Sequence, residues 1–91
     1  MMTETELKEK VYESVIKLAV SLTQQGKTMT LEGLTEWINQ NNSGFQHPYG
    51  NFRGVQQAAF RRAKEANNLE GMDALVKAFT NSEGISLWRE R

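Results

Sequence analysis

The sequence predicts a mainly α-helical fold, a compact bundle of three to four helices with room for a short C-terminal β-hairpin. Three observations predict it. Apolar residues recur at spacings of three and four along several segments, the signature of helices with one buried face. Between those segments lie short stretches of Gly, Asn and Ser, residues that favour turns over regular structure. The 91 residues, 38% apolar and 24% charged, suit one domain spanning 1–91, because a chain of this size buries a working core without disulfides or metals.

The first helix is the clearest element. Thr3 or Thr5 caps it, and Glu4, Glu6 and Glu9 load its first turns with negative charge, which the helix dipole favours. Leu7, Val11, Val15, Leu18 and Leu22 form one stripe, and Tyr12, Ile16, Ala19 and Val20 widen it. That girth fits a central helix packed on two sides, with the seam of a homodimer as the alternative. Gly26 ends the helix, with Lys27 just beyond.

A second, short helix follows from Leu31 to about Gln40, capped by Thr30, with Leu34, Trp37 and Ile38 on its apolar side. Gly33 costs it about 1 kcal/mol relative to Ala, so packing must hold it in place. From Asn41 to Gly50 the chain reads as a loop. Its two aromatics, Phe45 and Tyr49, are expected to fold back on the core, with contact to a partner as the alternative.

The third helix is predicted from Asn51 to Asn67, with Phe52, Val55, Ala59, Ala63 and Ala66 on its buried side. Asn67, Asn68 and Gly71 then break the chain. The last segment has two readings. Met72, Leu75, Val76 and Phe79 fit a helix, whereas Ala74 to Thr80 followed by Ile85 to Trp88 fits strand, turn, strand; the helical periodicity is the better satisfied.

Candidate chemistry is narrowed by elimination. There is no cysteine, so thiolate chemistry and Cys-based metal sites are excluded, which suits a cytoplasmic protein. His47 is the only histidine, flanked by Gln46 and Pro48 in the loop, and fits a solvated residue better than a ligand or a base. Gly26-Lys27-Thr28 lacks the upstream glycine and the preceding strand of a phosphate loop. No enzyme, cofactor or metal is therefore expected. No apolar run approaches the roughly 20 residues that span a bilayer, and the first residues do not read as a secretory signal, so no membrane association is expected.

One pattern points outward. On a helical wheel Arg53, Gln57, Arg61 and Lys64 gather opposite the buried side of the third helix. Arg and Lys neutralise phosphates, and Arg and Gln form paired hydrogen bonds with guanine and adenine edges. Arg62 lies beside the apolar edge, its stem placed to pack and its head to reach a phosphate. Solvated faces and protein-binding faces are built from the same residue types, so the composition of this face admits all three uses. Charge is weakly polarised: residues 1–45 carry four Lys and six Glu, residues 46–91 two Lys and five Arg against four Glu and Asp73, and the whole is neutral.

A long first helix, a short second one and a polar-faced third one resemble a helix-turn-helix or winged-helix domain over roughly residues 5 to 67. The resemblance implies a DNA-binding, transcription-regulatory domain. In it the third helix is the recognition helix, Arg53, Gln57, Arg61 and Lys64 contact double-stranded DNA, and Ala74 to Trp88 forms the wing. The loop from Asn41 to Gly50 departs from the pattern, being longer than the motif's turn of about 3–4 residues, and so does the neutral overall charge. The alternative is a helical interaction module or small accessory subunit whose partner is another protein, or a second copy packed along helix 1.

Overall fold

A computed structural model of the chain describes residues 3–41 and 52–80. Thr3 opens α1 (Glu4–Gln24) as its N-cap, its side-chain oxygen accepting a hydrogen bond from the Glu6 backbone N–H. One of the first-turn donors that the helix itself leaves unpaired is thereby satisfied. At the other end Gly26 adopts φ 67°. There the Lys27 N–H donates to the Leu22 carbonyl at 2.8 Å and the Gly26 N–H to the Thr23 carbonyl at 3.1 Å. This pair of bonds is a Schellman ending, which requires a left-handed residue at that point, and glycine adopts it without a Cβ penalty.

Only the two-residue strand β1 (Met29–Thr30) separates α1's turn from α2 (Leu31–Asn41). Thr30 caps α2 as expected, accepting from the Gly33 N–H at 3.1 Å. Gly33 is tolerated for a packing reason, since a Cβ there would come within 3.0 Å of Met29 Cγ. Then follow α3 (Phe52–Glu65), α4 (Leu69–Ala78) and the strand β2 (Phe79–Thr80).

The end of α3 repeats the logic of α1 with a different residue. Asn67 takes φ 55°, the Asn68 N–H donates to the Ala63 carbonyl at 2.8 Å, and the Asn67 N–H donates to the Lys64 carbonyl at 3.0 Å. Asn68 is at once the last residue of this ending and the N-cap of α4, its side chain accepting from the Gly71 N–H at 2.9 Å. Two helix ends are thus closed in two consecutive residues. Gly71, expected to break the chain, lies inside α4 and is buried. It is glycine because α4 presses on α1 there: a Cβ would fall 2.9 Å from Ile16 Cγ2 and 2.6 Å from Asn68 Nδ2. Ala66, expected on the buried side of α3, is exposed because the helix has already ended at Glu65.

Of the two readings of the C-terminal segment, the helix holds from Leu69 through Ala78. The strand reading of Ala74 to Ala78 is overturned. Ala74, Leu75 and Ala78 are all buried, a spacing that one helix face satisfies and an alternating strand does not. Strand geometry starts at Phe79, and its neighbour is β1 rather than a hairpin partner: Met29 pairs with Phe79 and Thr30 with Thr80, in parallel. A parallel pair needs a crossover, which α2, α3 and α4 supply. The return strand expected at Ile85 to Trp88 lies outside the described residues, as do Phe45, His47 and Tyr49.

The core follows from this order. α1 packs on both α4 and α3, and those two pack on each other. The widened apolar face of α1 is therefore used inside the chain: Val11, Val15, Ile16 and Ala19 are buried, and Val20 packs against them. Leu34 and Ile38 bring α2 onto the core, and Phe79, fully buried, ties the small sheet to it. Gln56 of α3 is only 2% exposed, and its Nε2 donates to the Leu75 carbonyl at 2.8 Å. That carbonyl lies in the last turn of α4, so the bond ties α3 to the end of α4.

Two stability predictions follow. Gly71→Val drives a branched side chain into Ile16 and the capping Asn68, and is expected to destabilise the fold by about 1–3 kcal/mol, read from the midpoint of chemical denaturation. An unchanged midpoint would show that α1 and α4 are not in close contact there. Gln56→Leu keeps the volume but removes the side-chain donor from the Leu75 carbonyl, with an expected loss of about 0.5–1.5 kcal/mol. Equal or greater stability of that variant in urea would mean that the bond is not made.

Candidate nucleic-acid interface

The rotation of α3 about its own axis decides what it shows to solvent. At about 100° per residue, Val55, Ala59 and Ala63 share one side, and all three are buried. The two flanks of that side are each tied to a different helix. Gln56 lies on one flank and is bonded to the Leu75 carbonyl of α4. On the other flank Arg62 reaches α1, where its Nη2 donates to Glu13 Oε1 at 2.9 Å and its Nε lies 2.5 Å from Glu9 Oε2. The Nε contact is an ion pair without the alignment of a hydrogen bond. Tethers on both flanks leave α3 a single rotational setting.

That setting puts Gln57, Arg61 and Lys64 outside, all three exposed. Their wheel positions fall within an arc of about 60° and cover about 10 Å of helix length. Among the described residues neither Arg61 nor Lys64 is held in an ion pair. Arg53, the fourth member expected on this face, lies in the first turn of α3, and its side chain is outside the described residues. Arg62 was expected to extend to a phosphate. Instead its head is engaged by Glu9 and Glu13, with the side chain 35% exposed. The last turn of α3 thus holds two cations of different status, Arg62 paired and Lys64 open. Glu65, also exposed, borders the open face beyond Arg61.

Sequence reasoning missed both tethers, although each had a signal. Gln56 sits next to Val55 on the buried half of the wheel, a place where glutamine needs a partner. Glu9 and Glu13 are like charges four apart on one helix, an arrangement that is unfavourable unless a cation lies between them.

Other chemistry finds little to work with. Among the described residues no group of three His, Asp or Glu side chains is placed to hold a metal ion. None of the described helices is long and apolar enough to cross a membrane. The one large hydrophobic residue strongly exposed among them is Leu69, at the α3–α4 corner. Comparison with family models, with curated proteins and with solved structures found no match to this chain.

Proposed function

We propose that this chain is a small, non-catalytic, cytoplasmic DNA-binding domain of the transcription-regulatory kind, and that the outer face of α3 is its contact surface. Arg61 and Lys64 neutralise backbone phosphates, Gln57 offers an amide for the paired donor and acceptor of an adenine edge, and Arg53 extends the face toward the start of the helix. The observation that carries the reading is the contrast along α3: Arg62 is consumed inside the molecule, whereas Gln57, Arg61 and Lys64 stand exposed side by side on a helix whose rotation is fixed. A preset orientation is what a groove-reading helix needs, because its side chains must arrive at base edges together. The protein-interaction reading has less to rest on. Much of the apolar girth of α1 that suggested a homodimer seam is occupied by α3 and α4, and among the described residues a lone exposed Leu69 is not a patch.

The proposal makes a quantitative demand. With two to three phosphates neutralised, the logarithm of the binding constant falls with the logarithm of salt concentration at a slope of about −2 to −3. Affinity for a mixed-sequence duplex should then drop roughly ten- to fortyfold between about 50 and 200 mM salt. The double substitution Arg61→Ala and Lys64→Ala should flatten the slope by about 2, while the unfolding free energy moves by no more than about 0.5 kcal/mol, both side chains being exposed. Fluorescence anisotropy on a labelled duplex reads the first effect and thermal unfolding the second. If the wild-type chain leaves duplex untouched at low salt, or if the double variant binds as well as wild type, the reading fails.

A further inference from the structure

We infer that Glu9 and Glu13 of α1 act as an internal stand-in for phosphate, holding Arg62 off the nucleic-acid face and thereby setting how tightly that face binds. The inference rests on the DNA-binding reading of α3 and adds an element that restrains it.

The chemistry starts from what a guanidinium accepts. Its donors match a carboxylate and a phosphate in the same way, so whichever anion is at hand can occupy them. In this fold two carboxylates are at hand, one helical turn apart on α1, and they engage two different nitrogens of the same Arg62. Arg62 sits immediately after Arg61, whose side chain is exposed, but is turned about 100° further round the helix. That offset places it on the flank of α3, where a duplex strand bordering a helix laid in its groove presents phosphates.

The clamp is also of a kind that opens. The side chains of Glu9 and Glu13 are 47% and 54% exposed, so water reaches both carboxylates, although the Arg62 Nε between them is covered. Ion pairs with carboxylates this exposed contribute little net stability, and the covered Nε is left without an aligned hydrogen bond. A phosphate brought up by Arg61 and Lys64 would compete with the carboxylates for the same guanidinium. While the clamp is closed, Arg62 makes no phosphate contact, and the positive charge available to DNA is confined to the outer arc of α3.

The test reads the number of phosphates contacted, which is what the salt slope measures. Four proteins are compared in duplex titrations over a salt series: wild type, E9Q/E13Q, R62Q, and the triple variant E9Q/E13Q/R62Q. Glutamine keeps the size of each side chain and removes its charge. If Arg62 is restrained by the clamp, E9Q/E13Q binds about tenfold tighter at low salt, with a slope steeper than wild type by about 0.9, the value for one added phosphate contact. R62Q should keep the wild-type slope, and the triple variant should fall back to it. This pattern separates release of Arg62 from a general gain of positive charge, under which the triple variant would keep the steeper slope.

A double variant with the wild-type slope overturns the inference, and so does a triple variant that keeps the steeper one. Either result leaves the DNA-binding reading intact, provided that the Arg61 and Lys64 substitutions still weaken binding. Absence of binding by wild type and E9Q/E13Q alike at low salt overturns both. Should E9Q/E13Q prove unfolded by circular dichroism, E13Q alone carries the test. It removes the charge of the carboxylate that accepts the aligned hydrogen bond and should also steepen the slope, and an unchanged slope there counts against the clamp.

Discussion

The rotational setting of α3 is the constraint on which the rest of this structure depends. The fully buried face of α3 is small, built from Val55, Ala59 and Ala63, with Phe60 packed partly buried against the same core. Small residues let the helices approach closely, but they supply weak rotational preference. The two polar tethers compensate. Gln56 donates into α4 from one flank and Arg62 pairs with α1 from the other. They differ in strength as well as in side. The glutamine bond is dry, so breaking it gives up a buried bond that water does not replace. The arginine pair has partly exposed carboxylates and contributes less. The result is a helix anchored firmly toward α4 and more loosely toward α1.

The same economy governs the chain reversals. α1 ends with a glycine in the left-handed region, whereas α3 ends with Asn67 in that region, and Asn68 goes straight on to cap α4. Asparagine tolerates the left-handed conformation because its short side chain can bond locally. Using it here lets two adjacent asparagines close one helix and open the next with no linker between them. A corner this tight fixes where α4 starts, and Gly71 then lets α4 settle against Ile16 of α1. The position of the Leu75 carbonyl, which anchors Gln56, follows from that contact.

What was legible in the sequence was whatever is encoded locally. The stripe of α1, its Thr3 cap and its Gly26 stop are all short-range signals, and the helix over Met72 to Ala78 emerged from periodicity against a competing strand pattern. The outward placement of Gln57, Arg61 and Lys64 was legible too, because it is the complement of the apolar side. Three features were not. The β1–β2 pair is two residues long on each side and joins positions 50 residues apart, so no window of sequence contains both strands. Gln56 carries no apolar signal, and only its place on the wheel beside Val55 points to its burial. Gly71 resembled a chain break because glycine in a helix interior is usually a cost; the close approach of Ile16 that justifies it belongs to the tertiary structure.

Neutral net charge is the strongest objection to a nucleic-acid-binding role, and the pairing pattern answers it in part. Charges on a folded surface act through what lies within about a Debye length, roughly 10 Å at 0.1 M salt. Arg62 with Glu9 and Glu13, and Lys77 with Asp73, are committed to neighbours. Arg61 and Lys64 are not committed to any described residue, so among the described residues the charge just outside α3 is theirs and that of Glu65, not the chain total. A local patch of that kind supports contact without long-range attraction, because steering over larger distances depends on the summed charge. Such a domain would rely on correct docking of a preoriented helix more than on capture from afar. That dependence returns the weight to the two tethers of α3, one of which can be exchanged for a ligand's anion while the other cannot.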